Sequence, residues 1–518
     1  MLLVANLSDA LLVGALSDDG VYAILGRAIA AGAGYRSLYL PHHPVQIKYP
    51  PGFPFILALL WKALGTLGGV QRAIGVIHPF VVGAVGGLLW WWGRVRVGVP
   101  RTLLLLFVAT PFMLDASIAY FTIPLSEPWF MLSWAGALVV WALAEDALPG
   151  PRRLMLRACA GLLLACAFLF RTQGIVLVVA AAVALAWRRR SWREWVAALA
   201  PALLAVVAWK GMHHILLARG PVANLPDEGE YLDWFATPPG TILPALAGAV
   251  RDNIHYYVRE LGPYLVGPKP VGQVLSGLLL VGVAAGGFAC LRRAPFLAAS
   301  VLGNVAAVLL WPFAQDRLML TILPFGGLAI GAALAPLILR RAPGPARWLG
   351  YGIATIAVLV LARQPDVRRE GLSALAEARA PRFFVPSKVL LDNSRLIGHA
   401  ARWLLDETRP TDRVMTDEAA GVFLYSGHTT VPLTPTESRL VPSVFTVPGR
   451  YLATHILEDS LTWIIVGWRS PQIMKDFATL RSRCPSVLTP TPTRPADSLF
   501  VLRVEPDSAC LSALLPGP

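Results

Sequence analysis

A few ionisable residues stand out in an apolar chain. They are the adjacent carboxylates Asp18 and Asp19, then Lys48 and Tyr49 ahead of a rigid Pro50-Pro51-Gly52 turn, and far downstream Glu127, Arg171 and Arg317. A carboxylate can take the proton from an acceptor hydroxyl as general base. Lysine and arginine can stabilise a departing phosphate, with or without a divalent cation, for which Asp19 and Glu127 are the candidate ligands. Blander readings stand beside these. Aspartate is favoured ahead of a helix, Lys48 can snorkel to headgroups, Glu127 before Pro128 can simply bound a helix, and Arg171 and Arg317 can pair with Asp316 or lipid phosphates. The pairs His42-His43 and His213-His214 are adjacent histidines at a loop or span end, a weak metal signal.

The elements that must position these residues are helices in lipid. The chain has 518 residues, 56% hydrophobic and only 15% charged, with a mean hydropathy of +0.59. A soluble protein averages about 25% charged residues. The net charge of +14 is gathered in clusters between apolar runs: Arg94/Arg96/Arg101, Arg152/Arg153/Arg157, Arg188/Arg189/Arg190/Arg193, Arg292/Arg293 and Arg340/Arg341/Arg347. Cytoplasmic loops retain such an excess, so the charge sets topology and argues against a nucleic-acid partner. The start lacks a basic n-region and a small-residue cleavage site, so no cleavable signal peptide is expected.

With the arginine clusters as cytoplasmic pins, about eleven spans are expected, the N-terminus inside and the C-terminal region outside. The spans fall near residues 2–16, 73–92, 103–120, 130–143, 159–170, 175–187, 196–217, 271–291, 296–313, 318–339 and 349–361. Residues 53–67 read as a helix along the outer face, started by Pro50-Pro51, since proline is tolerated in a first helical turn. The expected division is a membrane region over 1–362, with external loops at 17–52 and 218–270. A linker follows at 363–390, then a small extracytoplasmic α/β domain at 391–518. In that domain helices are expected around Leu396–Leu404 and over Pro471–Arg481, strands near Arg413–Met415, Trp463–Val466 and Leu499–Val504, and a helix cap at Asp417. Cys159, Cys166 and Cys290 lie in apolar runs; Cys484 and Cys510, separated by 26 positions, can bridge in an oxidising compartment.

The order Ser17-Asp18-Asp19-Gly20-Val21-Tyr22, Gly32 with Gly34-Tyr35, and Lys48-Tyr49-Pro50-Pro51 resembles the first external loop of the C-type (GT-C) membrane glycosyltransferases. These include protein O-mannosyltransferases and aminoarabinose transferases acting on lipid A. Ser126-Glu127, the Arg171-to-Gly174 turn and the Arg317-to-Pro324 element extend the likeness over roughly residues 1–362. It implies an integral protein of a bacterial-type inner membrane, a polyprenyl-phosphate-linked sugar donor and an inverting transfer at the outer face. The acceptor would be a lipid, a glycan or a protein. Carried over, Asp18 is the base and Asp19 its partner, with Lys48 and Arg317 as phosphate contacts. Two other classes remain. A lipid-linked-sugar transporter would bury its charges at the midplane and often shows repeats. A non-catalytic scaffold would tolerate loss of both aspartates.

Overall fold

The structure is a computed structural model that describes residues 13–113, 117, 120–121, 123–220, 242–261, 270–312, 314–339, 388–433, 449–467, 471–491 and 499–515. The chain is an integral membrane protein. Among the described residues, six helices are long and apolar enough to cross a bilayer: Leu67–Val97, Glu127–Asp146, Pro151–Phe170, Trp192–Arg219, Val271–Cys290 and Arg317–Pro336. They coincide with the expected spans at 73–92, 130–143, 159–170, 196–217, 271–291 and 318–339. The expected spans at 103–120, 175–187 and 296–313 fall on shorter apolar helices, Arg101–Phe112, Thr172–Trp187 and Pro295–Leu310. Residues 1–12 and 340–387, with most of the first expected span, all of the last and most of the linker, lie outside the described residues, as do 221–241 and 262–269 of the long loop; residues 13–16, the end of the first expected span, form a turn and not a helix.

We label the helices in chain order. Helix α1 (Asp18–Ala30) runs through the first loop, and α2 (Gly52–Leu64) begins just after Pro50-Pro51. Gly65 ends α2 in the left-handed conformation at φ 70°, and Thr66 accepts the Gly69 N–H to start α3 (Leu67–Trp92). That cap is why α3 begins several residues before the expected Ala73. Helix α4 (Arg101–Leu104) passes through a π-helical turn, Leu105–Ala109, into α5 (Thr110–Met113). Then come α6 (Glu127–Asp146), α7 (Pro151–Phe170), α8 (Ile175–Trp187), α9 (Trp192–Arg219), α10 (Ile242–Tyr256), α11 (Val271–Cys290), α12 (Pro295–Leu310) and α13 (Asp316–Leu339). Helix α7 packs between α6 and α9. At the centre Trp134 of α6 stacks on Phe325 of α13 at 3.7 Å and donates its indole N–H to Ser300 at 3.1 Å.

Helix α6 carries a charge cluster at each end. Its 20 residues span about 30 Å at 1.5 Å per residue, the thickness of a hydrocarbon core. At its C-terminal end Asp146 pairs with Arg96, and Glu145 pairs with Arg157 and Arg190. Arg157 also reaches Glu194 at 3.3 Å and lies 4.0 Å over the Trp141 ring. Arg188 donates to the carbonyls of Arg292 and Arg293. Four arginine clusters, distant in sequence, thus meet at one end, and Glu127 marks the other.

The C-terminal part opens with α14 (Lys388–Glu407), three residues before the expected boundary at 391. A five-stranded sheet follows in the order β2-β1-β3-β5-β4, from β1 (Val414–Thr416), β2 (Thr430–Pro432), β3 (Trp463–Val466), β4 (Leu488–Pro490) and β5 (Phe500–Val504). The pairs β1–β2 and β1–β3 are parallel, and β5 is antiparallel to β3 and β4. Helices α15 (Ala419–Ser426), α16 (Arg450–Glu458) and α17 (Pro471–Arg483) cover the sheet, and α18 (Ser508–Ser512) closes the described chain. The expectation for Asp417 needs correcting. Its carboxylate accepts the Gly467 N–H at 2.7 Å, tying β1 to the end of β3, and Glu418 takes the cap position of α15 without a side-chain bond to it. One apolar cluster joins α1 and α2 to this domain, from Tyr22, Ile24 and Phe53 to Met415, Ala419 and Ala420.

Cys484 at the end of α17 is bridged to Cys510 in α18, with Cα atoms 5.9 Å apart. Closing a loop of that size should stabilise the native state by about 2–4 kcal/mol. Replacing both cysteines with serine should lower the unfolding free energy of the C-terminal domain by that amount, read as a lower denaturant midpoint by hydrogen exchange of its strands in full-length protein. An unchanged midpoint contradicts this.

Candidate active site

The polar groups at the Glu127 end come from five separate segments. No side chain caps the start of α6, and the Glu127 carboxylate in its first turn is fully buried. A helix N-terminus favours an anion there. Arg171 sits in extended backbone between α7 and the 3-10 turn Thr172–Gly174, and its guanidinium meets Glu127 at 2.6 Å. Arg317, in the first turn of α13, approaches Glu127 at 3.6 Å and forms an ion pair with Asp18 in the first turn of α1. Asn253 on α10 and Tyr257 in the π-helical turn after it hold the turn before Arg317. Asn253 donates to the carbonyls of Leu309 and Trp311 at 2.9 and 2.8 Å, and the Tyr257 hydroxyl brackets Gln315.

The fifth segment is Lys48-Tyr49. The Tyr49 hydroxyl donates to Asp18, so Asp18 is gripped by a phenol on one oxygen and a guanidinium on the other. The Lys48 ammonium lies 5.1 Å from the Tyr49 ring centre and contributes to the field at Asp18. Gly52 locks this segment onto α7: a Cβ there would fall 2.7 Å from the Leu169 carbonyl, two residues before Arg171. Tyr22, one turn along α1 from Asp18, packs edge-on against Tyr49 and Phe53 and shares a hydrogen bond of 3.1 Å with Ser126. Ser126 in turn accepts from Arg171 at 3.3 Å.

Asp18, Tyr49, Lys48, Glu127, Arg171 and Arg317 are therefore brought together, with two carboxylates against three cations and so a formal excess of one positive charge. Asp19 points elsewhere. Its two oxygens accept the N–H groups of Gly14 at 2.7 Å and Leu16 at 3.0 Å. With both oxygens taken up by the loop before α1, Asp19 is turned away from the Asp18–Arg317 group, and it does not cap α1 either, since Ser17 holds the cap position without a side-chain bond. Glu127, flanked by two guanidiniums, does not fit a cation site. Among the described residues no three His, Cys, Asp or Glu side chains gather as metal ligands. His42 and His43 are exposed, and His213 packs edge-on against Trp209. Sequence reasoning did not single out Tyr22 and Ser126 as supports, although Tyr22 lies four residues after Asp18 and so on its helix face.

Environment separates the two aspartates. Burial pushes the Asp18 carboxyl up, but Arg317, Lys48 and the Tyr49 hydroxyl outweigh it and hold it at about 2. Burial raises Asp19 to about 6, offset in part by the backbone N–H groups that bind it and reinforced by the charge of Asp18. Their ordinary value is 3.8, so the two act on stability with opposite sign. Asp18 stabilises the fold above that value, and the contribution is lost as pH falls from about 4 to about 2. The Asp19 contribution is complete below it and is lost as pH rises from about 4 to about 6. Asp19→Asn should therefore remove a decline of about 2–3 kcal/mol across pH 4–6. Denaturant midpoints at several pH values check this, and parallel profiles for variant and wild type contradict it.

No family model and no curated protein matches the sequence. Solved structures do. ArnT from Cupriavidus metallidurans in the apo state aligns over 96% of this chain and 94% of its own, with 14% identity and a TM-score of 0.51. The same enzyme bound to undecaprenyl phosphate aligns over the same shares at 14% identity and a TM-score of 0.49. The Archaeoglobus fulgidus oligosaccharyltransferase aligns over 86% of this chain and 65% of its own, at 11% identity and a TM-score of 0.46. The fold of this chain is similar to that of ArnT.

Proposed function

We propose that this protein is a glycosyltransferase that moves a sugar from a polyprenyl-phosphate donor to an acceptor hydroxyl at the extracytoplasmic face, with inversion. The observation that carries the reading is Asp18 held between Arg317 and Tyr49 beside Lys48, at one end of helices of membrane-spanning length. The GT-C resemblance supports it. So does the opposite end of α6, where the arginine clusters meet. An excess of basic residues is characteristic of the cytoplasmic side, which supports an external position for the Asp18 end. Charges at a helix end rather than the midplane favour transfer over transport.

The chemistry follows from the charges. Arg317 and Lys48 bind the donor phosphate near the lipid headgroups. Asp18 accepts the proton of the acceptor hydroxyl while that oxygen bonds to the anomeric carbon. The bond from this carbon to the phosphate oxygen breaks, and its electron pair leaves with the phosphate, stabilised by the same cations. A single displacement inverts the centre. A phosphate that takes Arg317 also loosens its grip on Asp18 and raises the carboxylate's basicity, so donor binding and base activation are linked. No step is routed through a metal, because neither Asp19 nor Glu127 is arranged to hold one.

A panel of labelled polyprenyl-phosphate pentoses and hexoses, offered to membranes containing the wild type, should show transfer from at least one donor. Asp18→Asn should insert normally and lose transfer by about 10²–10⁴-fold, the range of general-base removal. Wild-type transfer rates in Asp18→Asn contradict the role of the carboxylate.

A further inference from the structure

The residue directly before Asp18 is strained. Ser17 has φ 57° and ψ −62°, and the Asp18 N–H bonds back to the Leu16 carbonyl at 2.6 Å. Together these make a γ-turn of the rare positive-φ kind, a conformation a serine keeps only if its surroundings impose it. The surroundings come from the C-terminal domain. Glu418 Oε2 accepts from the Ser17 hydroxyl at 2.9 Å, and Oε1 accepts from Asn393 at 2.8 Å. The same Asn393 amide donates to the Ala15 carbonyl at 2.8 Å, and the Tyr425 hydroxyl accepts the Val13 N–H at 3.0 Å. The backbones touch as well: a Cβ added to Gly14 would lie 2.3 Å from the Gly421 Cα. From within the loop, Asp19 draws the Gly14 and Leu16 N–H groups inward.

We propose that Glu418 is a positioning residue for transfer: through Ser17 it holds the strained turn that aims Asp18 at Arg317 and Tyr49. This rests on the reading of Asp18 above, and it gives the C-terminal domain a part in the reaction without a side chain in the reacting cavity. Two segments distant in sequence converge on the turn, α14 through Asn393 and the stretch from Glu418 into α15. The carboxylate is 9% exposed, so its bonds to Ser17 and Asn393 do not compete with bulk water.

The test uses full-length protein and two readouts. With the donor that the wild type turns over, Glu418→Ala should lower kcat by about 10–100-fold, as expected for a displaced catalytic group, and leave the donor KM within about twofold. Glu418→Gln keeps an oxygen that accepts from Ser17 and should stay within about threefold of wild type. Ser17→Ala should lower kcat in the same direction, and the double variant should be no worse than Glu418→Ala, because both single variants remove the Ser17–Glu418 bond. Hydrogen exchange of segment 13–22 needs no donor. Glu418→Ala should speed it by about tenfold or more, and Glu418→Gln should not. Unchanged kcat and unchanged exchange in Glu418→Ala overturn the proposal, as does a double variant whose losses multiply. A fall in activity that only tracks the amount of folded protein also overturns it. Faster exchange combined with an active Asp18→Asn keeps the brace but removes the base, so failure of the transfer reading is told apart from failure of this one.

Discussion

The ion pair between Asp18 and Arg317 is the constraint on which the rest of the structure depends. It joins the first turn of α1 to the first turn of α13, 299 positions apart, with both side chains less than a fifth exposed. Charges so far from water are costly unless each is paired and its remaining hydrogen-bonding groups are met. Tyr49 meets the second oxygen of Asp18, and Arg317 and Arg171 share the Glu127 carboxylate. Removing one member strands a charge in the others' surroundings. The first loop, the start of α6, the end of α7 and the start of α13 must therefore arrive together.

Helix geometry explains how they do. Helix α6 is long enough to separate its two charge clusters by the thickness of a hydrocarbon core. One end is held by the basic network around Arg157, and the other presents Glu127 to two guanidiniums. Stacking of Trp134 on Phe325 locks α6 against α13 between those ends. Packing fixes the scaffold, and the charges use the ends it sets.

Much of this was legible in the sequence because bilayers impose a simple code. Apolar runs between arginine clusters located the helices, and ionisable residues beside them located Asp18, Lys48, Glu127, Arg171 and Arg317. What stayed hidden depends on three-dimensional partners. Asp18 and Asp19 are adjacent and chemically alike, and only the direction of each side chain tells that Asp18 faces cations and Asp19 faces amides. Glu418 and Asn393 lie in the C-terminal part of the chain with no motif around them, and Ser17 reads as an ordinary cap until its φ is known. The strands β2 and β4 are three residues each, include Pro432 and Pro490 and carry no alternation, so periodicity passes over them. Asp417 next to a helix reads as a cap from composition, yet it bonds across the sheet to Gly467.

The most direct measurement of the central claim is binding of a polyprenyl phosphate, without sugar, to wild type, Arg317→Gln and Asp18→Asn in lipid nanodiscs. If Arg317 is the phosphate contact and Asp18 its resident anion, Arg317→Gln should bind at least about tenfold more weakly, as for loss of one partner of a buried charge pair. Asp18→Asn should bind as tightly as wild type or more tightly, since the competing carboxylate is gone. Equal affinity in all three, or equal weakening in both variants, would show that this ion pair serves the fold and not the donor.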